Sequence, residues 1–100
     1  MSPAARPDPG VPPVEVDARG LRCPLPVIRL AEAARDAAAG AVMVVLAGDP
    51  AARHDIAAWC RMRDHELQDV TEIREATGAG AGPAYLRFVV LIRHSRDSSS

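Results

Sequence analysis

The stretch Gly20-Leu21-Arg22-Cys23-Pro24-Leu25-Pro26 sets a single thiol between turn-forming and helix-forming residues. Val27, Ile28, Leu30, Ala31 and Ala34 follow at helical spacing, so a helix is expected to begin at the cysteine. Proline disfavours the α region for the residue before it, which pushes Cys23 toward the extended conformation of an N-cap. Pro24 itself suits the first helical position, where its missing N–H costs nothing. A thiol held there meets the positive end of the helix dipole, which favours the thiolate, the nucleophilic form. Because Pro24 and Pro26 carry no N–H, the Leu25 amide is the one first-turn donor expected to meet the sulfur. The chemistry this predicts is nucleophilic or sulfur-loading chemistry at an exposed Cys23. Free cysteine is also among the most buried residue types, so the residues alone leave an inert core thiol open as the alternative.

Arg19 and Arg22 flank the thiol and are candidates for stabilising an anion on it, against the plainer reading of solvated charge beside a turn. Gly20 supplies the freedom in φ that the preceding turn asks for, and Pro24 and Pro26 stiffen the mount. The second cysteine, Cys60, falls on an apolar helical stripe beside Trp59 and reads as core rather than as a resolving thiol. The two are expected to be free, since they are far apart in the chain and form no CxxC pair or disulfide framework. His54, Cys60 and His65 do not make a metal site on spacing: offsets of six and five do not share a helical face as three or four would. Gly78, Gly80 and Gly82 follow no strand-to-helix turn, and the chain has no lysine, so a phosphate loop is not expected there.

The elements that must carry these residues are short. One hundred residues make one small domain, and Lys+Arg 12 against Asp+Glu 13 gives no basic field for general nucleic-acid binding. No signal-peptide core and no apolar run of about 20 residues is present, which excludes direct membrane spanning and makes the cytoplasm the expected compartment. Residues 1–13 hold Pro3, Pro7, Pro9, Pro12 and Pro13 with almost no large apolar group and are expected to be a disordered leader, as residues 94–100 are expected to be a disordered tail. Between them lies one domain, 14–93.

Within it, Val14-Glu15-Val16 alternates as a short strand that Asp17 to Gly20 turn toward the cysteine. The first helix is expected over 24–38, with Gly40 as its C′ residue and Arg29, Glu32 and Arg35 on its wet side. Residues 41–47 are continuously apolar, the pattern of an interior strand. Asp49 and Pro50 repeat the N-cap and first-position logic for a second helix over 51–63, whose apolar stripe is Ala52, Ile56, Trp59 and Cys60. A half-exposed strand over 67–74, a glycine-alanine loop over 75–83 and a last strand over 85–93 complete the order βαβαββ. The first crossover is then a parallel βαβ unit and the closing strands an antiparallel hairpin. The expected fold is an α/β (α+β) two-layer sandwich, a four-stranded mixed sheet with two helices on one face. Met43, Val45, Val89 and Leu91 stand on the parity opposite to Val44, Leu46, Phe88 and Val90, so both sheet faces are apolar. The face without helices is expected to be uncovered and to hold a partner or a twin subunit in a homodimer.

Val16-Asp17-Ala18-Arg19-Gly20-Leu21-Arg22-Cys23-Pro24-Leu25-Pro26 resembles the signature of the TusA/SirA sulfur carriers, with its CPxP motif intact. The likeness continues through Ala47-Gly48-Asp49-Pro50, Asp55-Ile56-Ala57-Ala58-Trp59-Cys60-Arg61 and His65-Glu66-Leu67. The resemblance implies a βαβαββ protein that carries sulfane sulfur as a persulfide on the motif cysteine, here Cys23, with no cofactor beyond that covalent sulfur and no metal. It implies a sulfurtransferase half-reaction without independent turnover. The implied donor is a cysteine desulfurase or a rhodanese, and the implied recipient a DsrE-type relay protein or another thiol acceptor. The pathways it implies are tRNA thiolation, cofactor biosynthesis and sulfur metabolism. Two departures stand out: Gly48 replaces a frequent Thr, and Asp64 replaces a glycine that would close the second helix in the left-handed region, which aspartate also visits.

Two other readings compete with a carrier. An adaptor or regulatory module would dock a partner through Pro24-Leu25-Pro26 without covalent chemistry, and would tolerate Cys23→Ser. A redox sensor would oxidise Cys23, but no nearby resolving cysteine is evident.

Overall fold

The computed structural model describes residues 12–74, 76, 77, 80, 81 and 84–93. The leader expected over 1–13 lies almost wholly outside the described residues, as does the tail over 94–100 and, in the loop, Gly78 and Gly82. Strand β1 (Val14–Ala18) leads to helix α1 (Leu25–Arg35), strand β2 (Val42–Ala47), helix α2 (Ala52–Arg63) and strand β3 (Glu66–Ile73). Two-residue strands β4 (Ala76–Thr77) and β5 (Gly80–Ala81) precede strand β6 (Tyr85–Leu91). β4 and β5 pair with each other, so the stretch read as an aperiodic loop contains a minimal antiparallel ladder.

The main sheet has the order β1-β2-β6-β3, with β1 parallel to β2 and the other neighbours antiparallel. It is the mixed four-stranded sheet of a βαβαββ α+β sandwich, and β2 is interior. The antiparallel register sets Met43 opposite Val90 and Val45 opposite Phe88, and these four belong to one buried cluster with Leu30 of α1 and Ile56 and Cys60 of α2. Pairing thus joins odd-numbered residues of β2 with even-numbered residues of β6, because the sum of partner numbers is constant and odd along this ladder.

The other sheet face carries Val44, Leu46, Val89 and Leu91. It is not uncovered as expected: Val44, Leu46 and Leu91 are buried within the single chain. In the register, Glu15 and Asp17 on β1 and Glu66 and Asp69 on β3 flank this stripe, and Arg87 lies within it beside Leu46. A second copy of the chain is therefore not required to bury those three residues. Among the described residues, no helix is long and apolar enough to cross a membrane.

Two element ends and one helix face differ from the expectation for identifiable reasons. Helix α1 stops at Arg35, and Gly40, at φ 93°, closes a separate turn in which the Ala41 N–H donates to the Ala38 carbonyl at 3.0 Å. Its freedom in φ serves a type II turn leading into β2 rather than a helix C′ position. Strand β1 runs two residues further than its alternation predicted, because Asp17 and Ala18 pair with Leu46 and Ala47. Along α1, the side against the core is Pro26, Val27, Leu30, Ala33, Ala34 and Ala37, whereas Ile28 stands outside it, exposed.

The helix α2 terminus resolves the substitution at Asp64. That residue adopts φ 58° and ψ 41°, the left-handed conformation. Its N–H donates to Arg61, and the His65 N–H donates to the Cys60 carbonyl at 2.8 Å, which is the Schellman pattern ordinarily built on glycine. Aspartate fills the glycine position without displacing the helix end. Beyond it, His65 Nδ1 accepts the Arg93 N–H at 3.1 Å and its ring lies 5.2 Å from that of Trp59, tying α2 to the end of β6.

Candidate functional site

Cys23 sits in a tight turn between β1 and α1. Upstream, the Leu21 N–H donates to the Ala18 carbonyl at 3.1 Å across a turn whose third residue is Gly20 at φ 87°. A Cβ there would meet no atom within 4 Å, so the demand for glycine is conformational, not steric. Downstream, the Leu25 N–H donates to the Arg22 carbonyl at 2.8 Å, and the Cys23–Pro24 peptide bond is cis.

This turn changes the expected helix start. Pro24, at φ −93° and ψ 16°, is the N-cap, and Pro26 is the second helical residue. Cys23 therefore lies one residue outside the position predicted for it. The Leu25 amide does not meet the sulfur; it closes the turn onto Arg22. The Leu25 amide therefore does not set the state of this thiol.

A different element does. Asp49, in the loop between β2 and α2, accepts the Cys23 N–H on Oδ2 at 3.0 Å and the Ala51 N–H on Oδ1 at 2.9 Å. One carboxylate thus bolts the cysteine turn to the start of α2, across 26 residues of sequence. Assigned as N-cap from sequence, Asp49 does hold the first turn of α2, although the helix begins at Ala52 and Ala51 is the N-cap. The two amides, with Arg22 nearby, hold the Asp49 carboxyl below the usual carboxylate range. Gly20, Leu21, Arg22, Gly48 and Asp49 line an open cleft of ≈ 420 Å³ alongside. At Gly48 a Cβ would stand 3.8 Å from the Gly20 nitrogen, an ordinary contact, so the departure there is sterically neutral.

Cys23 itself is partly buried against the core. Burial, hydrogen bonding to Asp55 in the first turn of α2 and the negative charges of Asp55 and Asp49 push the thiol up to about 11. That reverses the prediction of a dipole-stabilised thiolate: two carboxylates and partial desolvation both favour the neutral form.

The flanking arginines are placed differently from each other. Arg19 grips Asp17 through Nε at 3.0 Å and Nη2 at 2.9 Å and lies 5.0 Å from the Tyr85 ring centroid. Its guanidinium holds Asp17 down to about 2. The charge of Arg22 is felt at Asp49, the residue that holds the Cys23 amide. Neither arginine is among the groups that shift the thiol; those are Asp55 and Asp49. Cys60 is buried in the core cluster, and burial pushes its thiol up to about 11. His54 is exposed on α2, apart from the buried Cys60.

Residues 14–79 match the family described as Sulfurtransferase TusA. The chain belongs to the TusA family. A curated relative from Pseudomonas fluorescens (strain SBW25), named Sulfur carrier protein TusA, is 46% identical over 57 residues, covering 57% of this chain and 69% of the relative. One of the same name from Pseudomonas putida (strain GB-1) is 45% identical over 56 residues, 56% of this chain and 70% of the relative. The family match spans the cysteine turn, both helices and the Asp49 and Asp55 positions. Sequence reasoning assigned neither aspartate to the site. The only signal available was that both lie in stretches shared with the family; their approach to Cys23 depends on α1 and α2 starting at the same end of the sheet.

Proposed function

We propose that this protein is a sulfur carrier that accepts sulfane sulfur as a persulfide on Cys23 and passes it to an acceptor protein. The observation that supports this reading most directly is the partly exposed Cys23, held by Asp49 at the shared mouth of two helices, in a chain whose relatives are named sulfur carriers.

In the transfer, the Cys23 sulfur attacks the terminal sulfur of a donor persulfide, R–S–S⁻. A new S–S bond forms to Cys23 and the donor's S–S bond breaks. The donor leaves as a thiol, R–SH, carrying the proton that Cys23 loses. Delivery is the same exchange in reverse with an acceptor thiol, so no net oxidation occurs and no further reagent is consumed. The donor is a cysteine desulfurase or a rhodanese, and the recipient a DsrE-type relay protein or other thiol acceptor. Leu25 and Ile28, each 44% exposed and one turn apart on α1, offer such partners an apolar contact beside the sulfur.

The test incubates the protein with a desulfurase and cysteine and follows intact mass. The expected result is an adduct of about 32 Da, one sulfur atom, on Cys23. No adduct, or the same adduct in Cys23→Ser, overturns the proposal. Retention of partner function by Cys23→Ser favours the adaptor reading instead.

A further inference from the structure

The turn that carries Cys23 is built from local bonds: the Leu21 N–H donates to the Ala18 carbonyl and the Leu25 N–H to that of Arg22. Pro24, the next residue, has no N–H to offer. Among the described residues, the hydrogen bond that ties this turn to a distant element runs from the Cys23 N–H to Asp49 Oδ2, at 3.0 Å. Asp49 is itself held twice at the start of α2. Its carbonyl accepts the Ala52 N–H at 3.0 Å and its Oδ1 the Ala51 N–H at 2.9 Å. The third bond of this fixed side chain is the one to Cys23.

The donor in that bond is the backbone nitrogen of the reacting residue. With N and Cα held, Sγ keeps one internal freedom, rotation about Cα–Cβ between staggered wells. The carboxylate spends one oxygen on each of the two amides. An amide side chain in its place has a single acceptor oxygen, and its NH2 would face an N–H, so it can serve one of the two donors and not both. The exposed apolar residues beside the sulfur, Leu25 and Ile28, belong to α1, whereas this anchor comes from the loop that opens α2. Docking of a partner and placement of the sulfur are therefore set by different elements, and can be separated by substitution.

We propose that Asp49 is a positioning residue for sulfur transfer: by holding the Cys23 amide against the start of α2, its carboxylate sets where a docked protein partner meets the Cys23 sulfur. The proposal rests on the persulfide reading of Cys23. Asp49 takes no proton, electron or sulfur in the exchange; it acts through the backbone of the residue that does. Alignment of two reacting sulfurs is needed when each is held by a protein, and much less when one of them arrives on a small, freely turning molecule. The loss of Asp49 is thus expected to tell a protein donor from a small one.

The experiment compares wild type, Asp49→Ala and Asp49→Asn as full chains. Each is loaded in two ways, by a cysteine desulfurase with cysteine and by glutathione persulfide, and the adduct on Cys23 is followed by intact mass. The desulfurase reaction is run over a range of carrier concentrations, so that kcat and KM are read separately. In Asp49→Ala, kcat with the desulfurase is expected to fall about tenfold with KM unchanged, while loading by glutathione persulfide stays within about twofold of wild type. Asp49→Asn, which keeps one acceptor, is expected to lie between. Amide proton spectra check the geometry: the Cys23 and Ala51 signals both lose their hydrogen-bonded shift in Asp49→Ala, and one of the two does in Asp49→Asn. Where Asp49→Ala does not fold, Asp49→Asn carries the same comparison. An unchanged kcat, or an equal fall with both donors, overturns this proposal alone. Failure of wild type to load from either donor overturns the carrier reading and this proposal with it.

Discussion

Cys23 and Cys60 both hold their protons more tightly than a free thiol, each pushed up to about 11, and for different reasons. Cys60 lies on the inner side of α2 among Leu30, Met43, Ile56 and Phe88, and burial is the leading cause; the one opposing influence is Arg61. At Cys23 burial is joined by the Asp55 hydrogen bond and by the charges of Asp55 and Asp49. The difference teaches that a raised thiol is not by itself a sign of an inert one. Core burial can be relieved only by unfolding, whereas a carboxylate beside an accessible sulfur can be removed by one substitution or outcompeted by a partner.

The comparison breaks most sharply under sulfur loading. Cys23→Ser is expected to abolish the adduct altogether, while Cys60→Ala retains it, as read by intact mass; an adduct that follows Cys60 would reverse the two roles. Next in size is the alkylation profile. Iodoacetamide reacts with the thiolate, so modification of Cys23 is expected to rise about tenfold per pH unit and level off only near pH 11. A plateau near pH 8 would mean that the carboxylates do not act on it. Cys60 is expected to remain unmodified until the chain unfolds. Its folded proton affinity exceeds the unfolded one, whose midpoint is 9.0, so its contribution to stability is complete below that pH and is lost as pH rises through about 11. Thermal denaturation of wild type against Cys60→Ala across pH 8–11 measures that difference.

Smaller effects sharpen the comparison further. Asp49→Ala removes the acceptor of both the Cys23 and Ala51 amides, and is expected to speed hydrogen exchange at those two positions while leaving the amides around Cys60 protected. Asp49→Asn keeps an acceptor oxygen and should fall between. Smallest of all is Asp64→Gly, which relieves a left-handed non-glycine residue at the end of α2. A gain of about 0.5–1 kcal/mol is expected from chemical denaturation, with no change in loading at Cys23, since that helix end lies opposite the site.

Much of the molecule was legible from local pattern. Period-two alternation in β1, the uninterrupted apolar run of β2 and the spacing of four between Ala52, Ile56 and Cys60 each specify an element through burial of one or both of its faces. Their order prescribes the parallel crossover and the closing antiparallel pair. Cys60 was readable as core because its stripe is internal to a single helix. The Cys-Pro-Leu-Pro motif marked the thiol for the same reason, that all of its signal lies in consecutive residues.

What sequence pattern could not decide is which groups from elsewhere in the chain meet that thiol. Local rules describe neighbours one helical turn away, and on those rules alone Cys23 had only a helix dipole, a Leu25 amide and two arginines. Packing of α1 beside α2 on one sheet face brought Asp49 and Asp55 to it instead, while the Arg22–Leu25 turn withdrew the amide. Charge acts through space, with a range set by distance and dielectric rather than by separation along the chain. The position of the sulfur was therefore written in the sequence, whereas the groups that govern its protonation were decided by the tertiary fold.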